Sequence, residues 1–162
     1  MPRASAAAMT SGSRIAPPGW IAAVAPASAA TAELLAAFHR LIPQLSSSST
    51  PISTDQLAEM IAADSTTIFV ATKEQEIVGL LTLVVFRIPT GVRAWIEDVV
   101  VDESARGHGV GEALNRAALD DARRRGAKTV DLTSRPSRAT ANRLYQRLGF
   151  VARETNVYRY EL

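Results

Sequence analysis

The chain has no cysteine among its 162 residues and only two histidines. Without cysteine there is no disulfide framework, and with so few sulfur and imidazole ligands a zinc site is not expected. No stretch approaches the roughly 20 apolar residues that a membrane-spanning helix needs. We therefore expect a protein without a metal ion and without a membrane segment, and the lack of thiols fits a reducing cytoplasm.

An excess of charge of one sign is missing as well. The 18 Lys and Arg residues nearly balance the 16 Asp and Glu residues, for a formal net charge of +2. The one basic cluster, Arg123 to Arg125, closes a predicted helix, where cations interact favourably with the helix dipole. We expect this cluster to be solvated, and no nucleic-acid partner is predicted.

Residues 1–19 differ from the rest of the chain, because they are rich in Ala, Ser, Pro and Arg and show no periodicity. Such a segment buries too little apolar surface to offset the entropy of ordering, so a disordered tail is predicted. A secretory signal over residues 20–30, interrupted by Pro26, and an organelle transit peptide fit less well. Residues 20–162 have the length of one domain.

The hydrophobic pattern of residues 20–162 predicts strands and helices in the order β-α-α-β-β-β-α-β-α-β-β. Ser28 is expected to cap the first helix and Pro43 to end it. The predicted strands cover 20–25, 67–72, 77–88, 93–101, 129–133 and two final segments near 150 and 157–160. The predicted helices cover 29–41, a second one that starts at 53 or 54, 110–125 and 138–148.

A glycine-rich turn between a strand and a helix is the strongest functional signal. The strand ends at Val99, Val100 and Val101, and the turn contains Arg106, Gly107, His108, Gly109, Val110 and Gly111. The first N–H groups of a helix have no partner within it and carry the positive end of its dipole. The turn is therefore predicted to hold a phosphate or diphosphate, with the Arg106 guanidinium at its edge.

Two known phosphate motifs do not fit this turn. A P-loop requires Lys and then Ser or Thr after its second glycine, whereas Glu112 follows Gly111. A dinucleotide fingerprint requires two residues between its last two glycines, whereas only Val110 separates Gly109 from Gly111. A tight turn without a ligand stays open as an alternative.

The pattern Arg-x-x-Gly-x-Gly at Arg106, Gly109 and Gly111 resembles motif A of the GCN5-related N-acetyltransferase (GNAT) family. A second segment, Leu144-Tyr145-x-x-Leu148-Gly149-Phe150, resembles the last helix and following strand of the same family. The resemblance covers residues 20–162. It implies an α+β fold with a mixed, mostly antiparallel sheet flanked by helices, and an enzyme that uses acetyl-CoA as cosubstrate.

The resemblance also implies where acetyl-CoA binds. In the family, two parallel strands separate beside a bulge, and the pantetheine arm lies between them; here these strands are 94–101 and 129–133. Backbone groups near Val99 and Val101 would pair with the pantetheine amides, and one N–H would stabilise the oxyanion. The expected cofactor-binding residues are Val99, Val100, Val101, Arg106, Gly107, His108, Gly109, Val110, Gly111, Asn142 and Tyr145.

Tyr145 is the expected general acid, since the family places this tyrosine near the thioester sulfur. A phenol of pKa about 10 can protonate a thiolate whose conjugate thiol has a pKa of about 8.5. For the general base we prefer Glu97, which shares a strand face with Val99 and Val101 if pairing is regular. The expected bulge can reverse that parity, and Asp131 or a water molecule remains an alternative base.

One position departs from the family pattern. Family members often carry asparagine seven residues before the tyrosine, whereas this chain has Arg138 there and Asn142 one turn before Tyr145. Contact between the last helix and the cofactor is thus left to Arg138 or Asn142, or is absent. Arg135 and Arg138 are candidates to bind a phosphate or an acidic acceptor, but we prefer the interpretation that both are solvated surface charges.

The sequence therefore predicts an acetyl-CoA-dependent N-acetyltransferase in which a primary amine attacks the thioester directly. Its acceptor, a small molecule or a peptide, would bind near the first two helices, the 43–54 loop and the 89–92 turn, which carry no recognisable signature. A protein N-terminal or lysine acetyltransferase, a non-catalytic acyl-CoA-binding regulator and a phosphoanion-binding module remain alternatives. Either a monomer or a homodimer is expected.

Overall fold

The computed structural model describes residues 22–162. The predicted tail at 1–19 and the first residues of the predicted first strand, Trp20 and Ile21, lie outside the described residues. The remaining sequence forms an α+β fold, as predicted, in which one sheet separates two helical layers.

The sheet has five strands in the order in which they occur along the chain. Neighbouring strands are antiparallel except for the last pair, which is parallel. The strands are β1 (Ala23–Pro26), β2 (Thr66–Lys73), β3 (Glu76–Ile88), β4 (Gly91–Val101) and β5 (Val130–Asp131).

Four α-helices surround the sheet: α1 (Ala32–Leu45), α2 (Thr54–Ala62), α3 (Val110–Arg124) and α4 (Ala139–Arg147). The predicted start of α2 is confirmed, because the Ser53 hydroxyl accepts from the Gln56 amide and the Gln56 side chain accepts from the Ser53 amide. The predicted ends of α1 were wrong. Thr31, not Ser28, caps the helix, and the helix continues through Pro43 for two more residues.

Proline does not end α1 because only one helix hydrogen bond is lost at its position. The ladder resumes at once, since the Ser46 N–H donates to the Ile42 carbonyl at 2.9 Å. Buried apolar residues on both sides of the proline hold this helix on the sheet: Leu34, Ala37, Phe38 and Leu41, with Ile42 and Leu45 partly buried.

Each face of the sheet has its own core. On one face, α3 packs through Val110, Leu114, Ala118 and Ala122 onto a cluster that includes Leu81, Leu83, Ala94 and Ile96. On the other face, α1 and α2 cover a cluster that includes Leu57, Ile68, Leu80 and Val100. Adjacent residues of a regular strand point to opposite faces. The core in which a β4 residue is buried therefore shows the face of the sheet to which its side chain points.

A β-bulge interrupts β4 near its end. Leu80 pairs with Val100 and Thr82 pairs with Glu97, so Leu81 alone faces both Asp98 and Val99. Asp98 adopts a φ of 49° there, a left-handed conformation that aspartate tolerates better than most residues. The bulge bends the strand and shifts the parity of everything that follows it.

The two predicted C-terminal strands are absent from the described residues. The chain leaves α4 through the left-handed Gly149, with φ of 93°, and Phe150 packs on the α3-side core. Residues 151–162 then run outside the sheet with no strand assignment and with exposed side chains. A strand pattern alone does not form a strand, because each strand needs a partner for its backbone groups.

Candidate functional site

The predicted phosphate turn forms at the start of α3. Gly107 and Gly109 have φ values of 80° and 81°, and a Cβ added to either would meet no atom within 4 Å. Within residues 22–162, the N–H groups of Gly109, Val110, Gly111 and Glu112 donate to no backbone carbonyl. The open space around these amides can hold an anion. We call residues 107–112 the amide cradle.

Close packing sets the position of the amide cradle over the sheet. A Cβ on Gly79 of β3 would lie 3.0 Å from the Leu114 side chain and 3.1 Å from that of Val110, so α3 approaches the strand where no side chain intervenes. A Cβ on Gly111 would lie 3.3 Å from the Leu144 side chain of α4. The two small residues therefore hold the start of α3 between β3 and α4.

A buried carboxylate supports the turn that precedes the amide cradle. Asp102 follows β4 directly and is 8% exposed. One of its oxygens accepts from the Ser104 amide at 3.0 Å and from the Ser104 hydroxyl at 2.6 Å, which caps the short 3-10 turn Glu103–Ala105. The other oxygen accepts from the Arg40 guanidinium of α1.

These contacts keep the carboxyl group ionised. The hydrogen bond from the Ser104 hydroxyl, helped by the Ser104 amide, by Gln44 and by the charge of Arg40, lowers the pKa of Asp102, while burial opposes the shift. A lowered pKa means that the charged form is the one that stabilises the fold. Asp102 therefore links α1 to the turn through its negative charge.

Gln44, also on α1, makes a second link. Its carbonyl oxygen accepts from the Glu103 amide at 3.1 Å and lies 3.5 Å from the Arg106 guanidinium. The Arg106 Nε donates to the Val101 carbonyl at 3.2 Å. The guanidinium that was expected at the edge of the turn is thus held along the end of β4, exposed, with donors still available for an anion.

The gap between β4 and β5 is the second feature of the site. The two strands pair only at Ala94 with Val130 and at Trp95 with Asp131. From Ile96 to Val101 the β5-facing edge of β4 has no strand partner among the described residues. The predicted separation of two parallel strands is therefore present, and it leaves β4 backbone groups available beside the amide cradle.

The bulge corrects one prediction about the strand faces. Ile96, Val99 and Val101 pack on the α3-side core, whereas Val100 packs on the α1-side core. Glu97, which neighbours Ile96, therefore lies on the α1 side. The expectation that Glu97 shares a face with Val99 and Val101 was wrong, because the extra residue in the bulge reversed the parity.

Both candidate bases lie on that same side of the sheet. The exposed Glu97 carboxylate accepts from the Trp95 indole N–H at 2.6 Å, which fixes its orientation on the strand. Val130 and Leu132 pack toward the α3-side core, so alternation directs Asp131 to the opposite face, beside its register partner Trp95.

Tyr145 lies on α4, next to Leu144, the residue that faces Gly111 of the amide cradle. Its ring packs edge-on against Phe150, with centroids 5.8 Å apart and an interplanar angle of 72°. Burial raises the pKa of the phenol, and the positive charge of Arg138 partly opposes that shift. The phenol is consequently protonated at neutral pH and able to donate a proton.

The remaining predicted residues have mixed environments. One Asn142 side-chain N–H donates to the Arg135 carbonyl at 2.9 Å, so this amide holds the loop before α4 and keeps its oxygen and its second N–H for a ligand. Arg138 takes the N-cap position of α4 and makes no side-chain capping bond. His108 is half-buried.

A small cleft lies between α1 and the loop before α2. It is lined by Phe38, His39, Ile42, Pro43 and residues 49–52. His39 approaches the Ile52 carbonyl at 2.8 Å and thereby ties α1 to the loop before α2. This is the region where the sequence placed the acceptor.

Two features are absent from residues 22–162. Within this range no group of three or more His, Cys, Asp or Glu side chains is arranged to hold a metal ion. In the same range no helix is both long and apolar enough to cross a membrane.

Comparison with known proteins assigns the family. Residues 32–150 match the profile of the Acetyltransferase (GNAT) family. The chain belongs to this family. The resemblance inferred from Arg106, Gly109, Gly111 and the Leu144 to Phe150 segment is therefore confirmed, and the α+β sheet with flanking helices is the GNAT fold.

Solved structures agree with the GNAT assignment. An acetyltransferase from Trypanosoma brucei is 27% identical, with a TM-score of 0.71 over 88% of this chain and 100% of that one. A transcriptional regulator from Bacillus halodurans C-125 is 25% identical, with a TM-score of 0.73 over 87% of this chain and 100% of that one. The aminoglycoside N-acetyltransferase AAC(6')-Iy, solved with CoA, shares the fold at 17% identity, with a TM-score of 0.73 over 87% of this chain and 95% of that one. No curated protein matches the chain.

Sequence reasoning missed the residues that support this GNAT site. Gly79, Arg40, Gln44 and Asp102 all act through contacts between segments distant in sequence. A signal for Gly79 existed, since an isolated glycine within a strand often marks a close approach of another element. No local sequence pattern predicts that Arg40 and Gln44 of α1 form hydrogen bonds with the turn after β4.

The first prediction concerns the amide cradle. Gly109 and Gly126 have nearly equal φ values of 81° and 77°, and a Cβ at either position meets no neighbour. Gly109→Val and Gly126→Val should therefore strain the backbone alike and lower Tm by similar amounts. Only Gly109→Val should abolish the rise in Tm caused by saturating acetyl-CoA, as measured by differential scanning fluorimetry. An equal loss of the shift in both variants would contradict a binding role for the cradle.

The second prediction concerns Asp102 and pH. Because its folded pKa is lowered, its contribution to stability is complete above the unfolded pKa of about 4 and disappears as the pH falls through the folded value. Asp102→Asn should reduce the free energy of unfolding by about 1–3 kcal/mol at pH 7, and this difference should shrink below about pH 4. Urea unfolding across pH measures it, with the exposed Asp120→Asn as control. A difference that does not change with pH would show that charge is not the cause.

Proposed function

We propose that this GNAT protein is an acetyl-CoA-dependent N-acetyltransferase that moves an acetyl group to a primary amine by direct attack. The observation that supports this most strongly is the amide cradle next to the unpaired edge of β4. A phosphate-binding helix start and an open strand edge, side by side, suit a ligand that carries both a diphosphate and a chain of amides.

The residues present fit coenzyme A. The cradle has free donors and open space, which suits a diphosphate, and Arg106 has guanidinium donors left for its oxygens. The free edge of β4 offers N–H and C=O groups in the alternating pattern that pantetheine amides can pair with. The proposed binding residues remain Val99, Val100, Val101, Arg106, Gly107, His108, Gly109, Val110, Gly111, Asn142 and Tyr145.

When bound, acetyl-CoA supplies an acetyl group activated as a thioester. A β4 N–H near the bulge would donate to the carbonyl oxygen, where negative charge develops as the amine attacks. The Tyr145 phenol would donate its proton to the departing thiolate, and burial keeps that phenol protonated. In this arrangement the acid approaches the gap from the α4 side and the base from the α1 side.

The base removes a proton from the ammonium form of the acceptor. A lysine-type amine with a pKa of about 10.4 is only about 0.1% neutral at pH 7, a handicap of about 4.6 kcal/mol. Glu97 is the proposed acceptor of that proton, because its orientation is fixed by Trp95 and it lies on the α1 side. Asp131 lies on the same side and is the reserve, and a water relay is the remaining alternative.

The acceptor that we propose is a small-molecule amine. Aminoglycoside N-acetyltransferases share this fold. The alternatives are a protein N-terminal or lysine acetyltransferase and a non-catalytic acyl-CoA-binding regulator. The likeness to a structure described as a transcriptional regulator favours the regulator among these two. The absence of cysteine fits the cytoplasmic location we propose.

The third prediction separates an enzyme from a regulator. With acetyl-CoA and a panel of amines that includes aminoglycosides, polyamines, amino acids and peptides, thiol release should rise above hydrolysis for at least one small amine. The readout is the reaction of free thiol with a chromogenic disulfide, and the cysteine-free chain contributes no background. A Tm shift with acetyl-CoA, but no acceleration by any amine, would favour the regulator.

The fourth prediction tests Tyr145. Tyr145→Phe should lower kcat by about 10²- to 10⁴-fold, because the general acid is removed, while the acetyl-CoA-induced Tm shift is retained. Tyr160→Phe, at an exposed phenol outside the site, is the matched control and should leave kcat unchanged. Full activity of Tyr145→Phe on an identified acceptor would remove Tyr145 from the mechanism.

A further inference from the structure

Part of the α1-side face of the sheet lies outside both cores. Leu81, Leu83 and Val85 of β3 are buried in the α3-side core, so the residues that alternate with them point to the α1 side. Four apolar residues on that face belong to neither core of the described residues: Val84, Phe86 and Ile88 of β3, and Trp95 of β4. We call these four residues the sheet platform.

The sheet platform is accessible to solvent. Phe86 is 39% exposed and Ile88 is 37% exposed, while Val84 and Trp95 are half-buried. Val84 lies opposite Trp95 in the register of β3 with β4. Because opposite and diagonal side chains on one face of an antiparallel pair are neighbours, the four residues form a continuous apolar surface. A continuous apolar surface, unlike scattered exposed residues, is typical of a binding site.

Carboxylates lie at one end of the sheet platform. Glu97 follows Trp95 by two residues on the same face and accepts from its indole N–H at 2.6 Å. Asp131 of β5 is the other register partner of Trp95, on the side away from Val84. The indole therefore lies between the apolar surface and the carboxylate proposed as the general base. An ammonium group is attracted to this end of the platform.

Cations lie at the opposite end. Arg93 precedes Trp95 by two residues on the same face, and its guanidinium donates to the Thr90 hydroxyl at 3.4 Å. The Lys128 ammonium donates to the Thr90 carbonyl at 3.3 Å. Within residues 22–162 neither cation forms an ion pair. Four residues of extended strand separate Arg93 from Glu97, which is about 13 Å, so the platform is negative at one end and positive at the other.

We propose that the sheet platform binds the body of the acceptor, and that the acceptor is a primary amine with an apolar alkyl or aromatic body and no second cation. The ammonium end lies at Glu97 beside the gap, and the body extends along Trp95 and Phe86. A second positive charge at the far end of the body would approach Arg93 and Lys128, which repel it. This inference rests on the proposed N-acetyltransferase function and narrows its acceptor.

Matched amines test the length and the charge of the acceptor separately. Along the series ethylamine, butylamine and hexylamine, kcat/KM should rise about three- to fourfold for each methylene that the platform covers. Hexylamine should react faster than 1,6-diaminohexane, although the diamine offers two amino groups. Equal kcat/KM values along the series, or a preference for the diamine, would overturn the proposal.

Charge reversal at the far end has a matched control on the same hairpin. Arg87 faces the α3 side, because its register partner Val92 packs on that core. Arg93→Glu should shift the ratio of kcat/KM values about fivefold toward 1,6-diaminohexane relative to hexylamine, whereas Arg87→Glu should leave the ratio unchanged. An equal shift in both variants would show an effect of net charge alone and would contradict binding on this face.

Truncation of an apolar side chain tests the platform itself. Phe86→Ala should raise the KM of hexylamine about threefold, with a smaller effect on ethylamine, because the longer body loses more apolar contact. Val151→Ala, at an apolar residue that is 84% exposed and lies outside the platform, is the control and should change neither KM. A dimeric wild type that dissociates on Phe86→Ala, as measured by sedimentation, would make the platform an interface between two copies and would overturn the proposal.

Binding measured without turnover separates this inference from the proposed function. The chain has two tryptophans, Trp20 and Trp95, so the emission of a Trp20→Phe protein comes from Trp95. In the presence of CoA, hexylamine should change this emission at a lower concentration than 1,6-diaminohexane does. Hexylamine binding without turnover of any amine would reject the enzyme but support the platform. Turnover that favours polyamines or aminoglycosides would support the enzyme but overturn the platform, and so would unchanged emission with every amine.

Discussion

One extra residue in β4 is the constraint on which the rest of the site depends. Because Leu81 faces both Asp98 and Val99, each β4 side chain after the bulge points to the face opposite to the one it would have in a regular strand. Glu97 is thereby directed to the α1 side, while Val99 and Val101 turn to the core under α3. A regular strand would have put Glu97 and Val99 on one face. The bulge thus allows a carboxylate and the cradle-bearing helix to lie on opposite sides of one open strand edge.

The amide cradle is held by contacts from three directions, and each has a different physical origin. Gly79 gives close packing, since no Cβ separates β3 from Leu114. Asp102 gives charge, because its ionised carboxylate binds both Arg40 and the Ser104 turn. Gln44 gives a neutral hydrogen bond to the Glu103 amide. Two of the three come from α1, the helix that also lines the cleft beside His39. A molecule bound against α1 would therefore contact the same helix that positions the turn before the amide cradle.

Local pattern was sufficient for most of the fold. Three features depend only on residues close together in sequence: capping by Ser53, the glycine turn at 107–111 and the strand periodicity of β2 to β4. Errors occurred where distant contacts overrode a local signal. Buried residues before Pro43 and the partly buried Leu45 after it kept α1 helical beyond the proline. The face of Glu97 depended on a bulge whose position is defined only by pairing with β3. Arg40 and Gln44 carry no local mark of their role, because their partners lie about 60 residues later.

The C-terminal residues show the limit of local pattern most clearly. Alternation in residues 151–162 predicts strands, and their composition is unchanged by the fact that the structure leaves them outside the sheet. A strand is a property of a pair, so a correct local preference can remain unsatisfied within one chain. The composition of residues 151–162 favours an extended backbone, but composition does not specify which strand would pair with them. Pairing depends on residues far away in sequence, in the same way as the bulge of β4 depends on β3. Local pattern therefore predicts the conformation that a segment prefers, and tertiary contacts decide whether a strand forms.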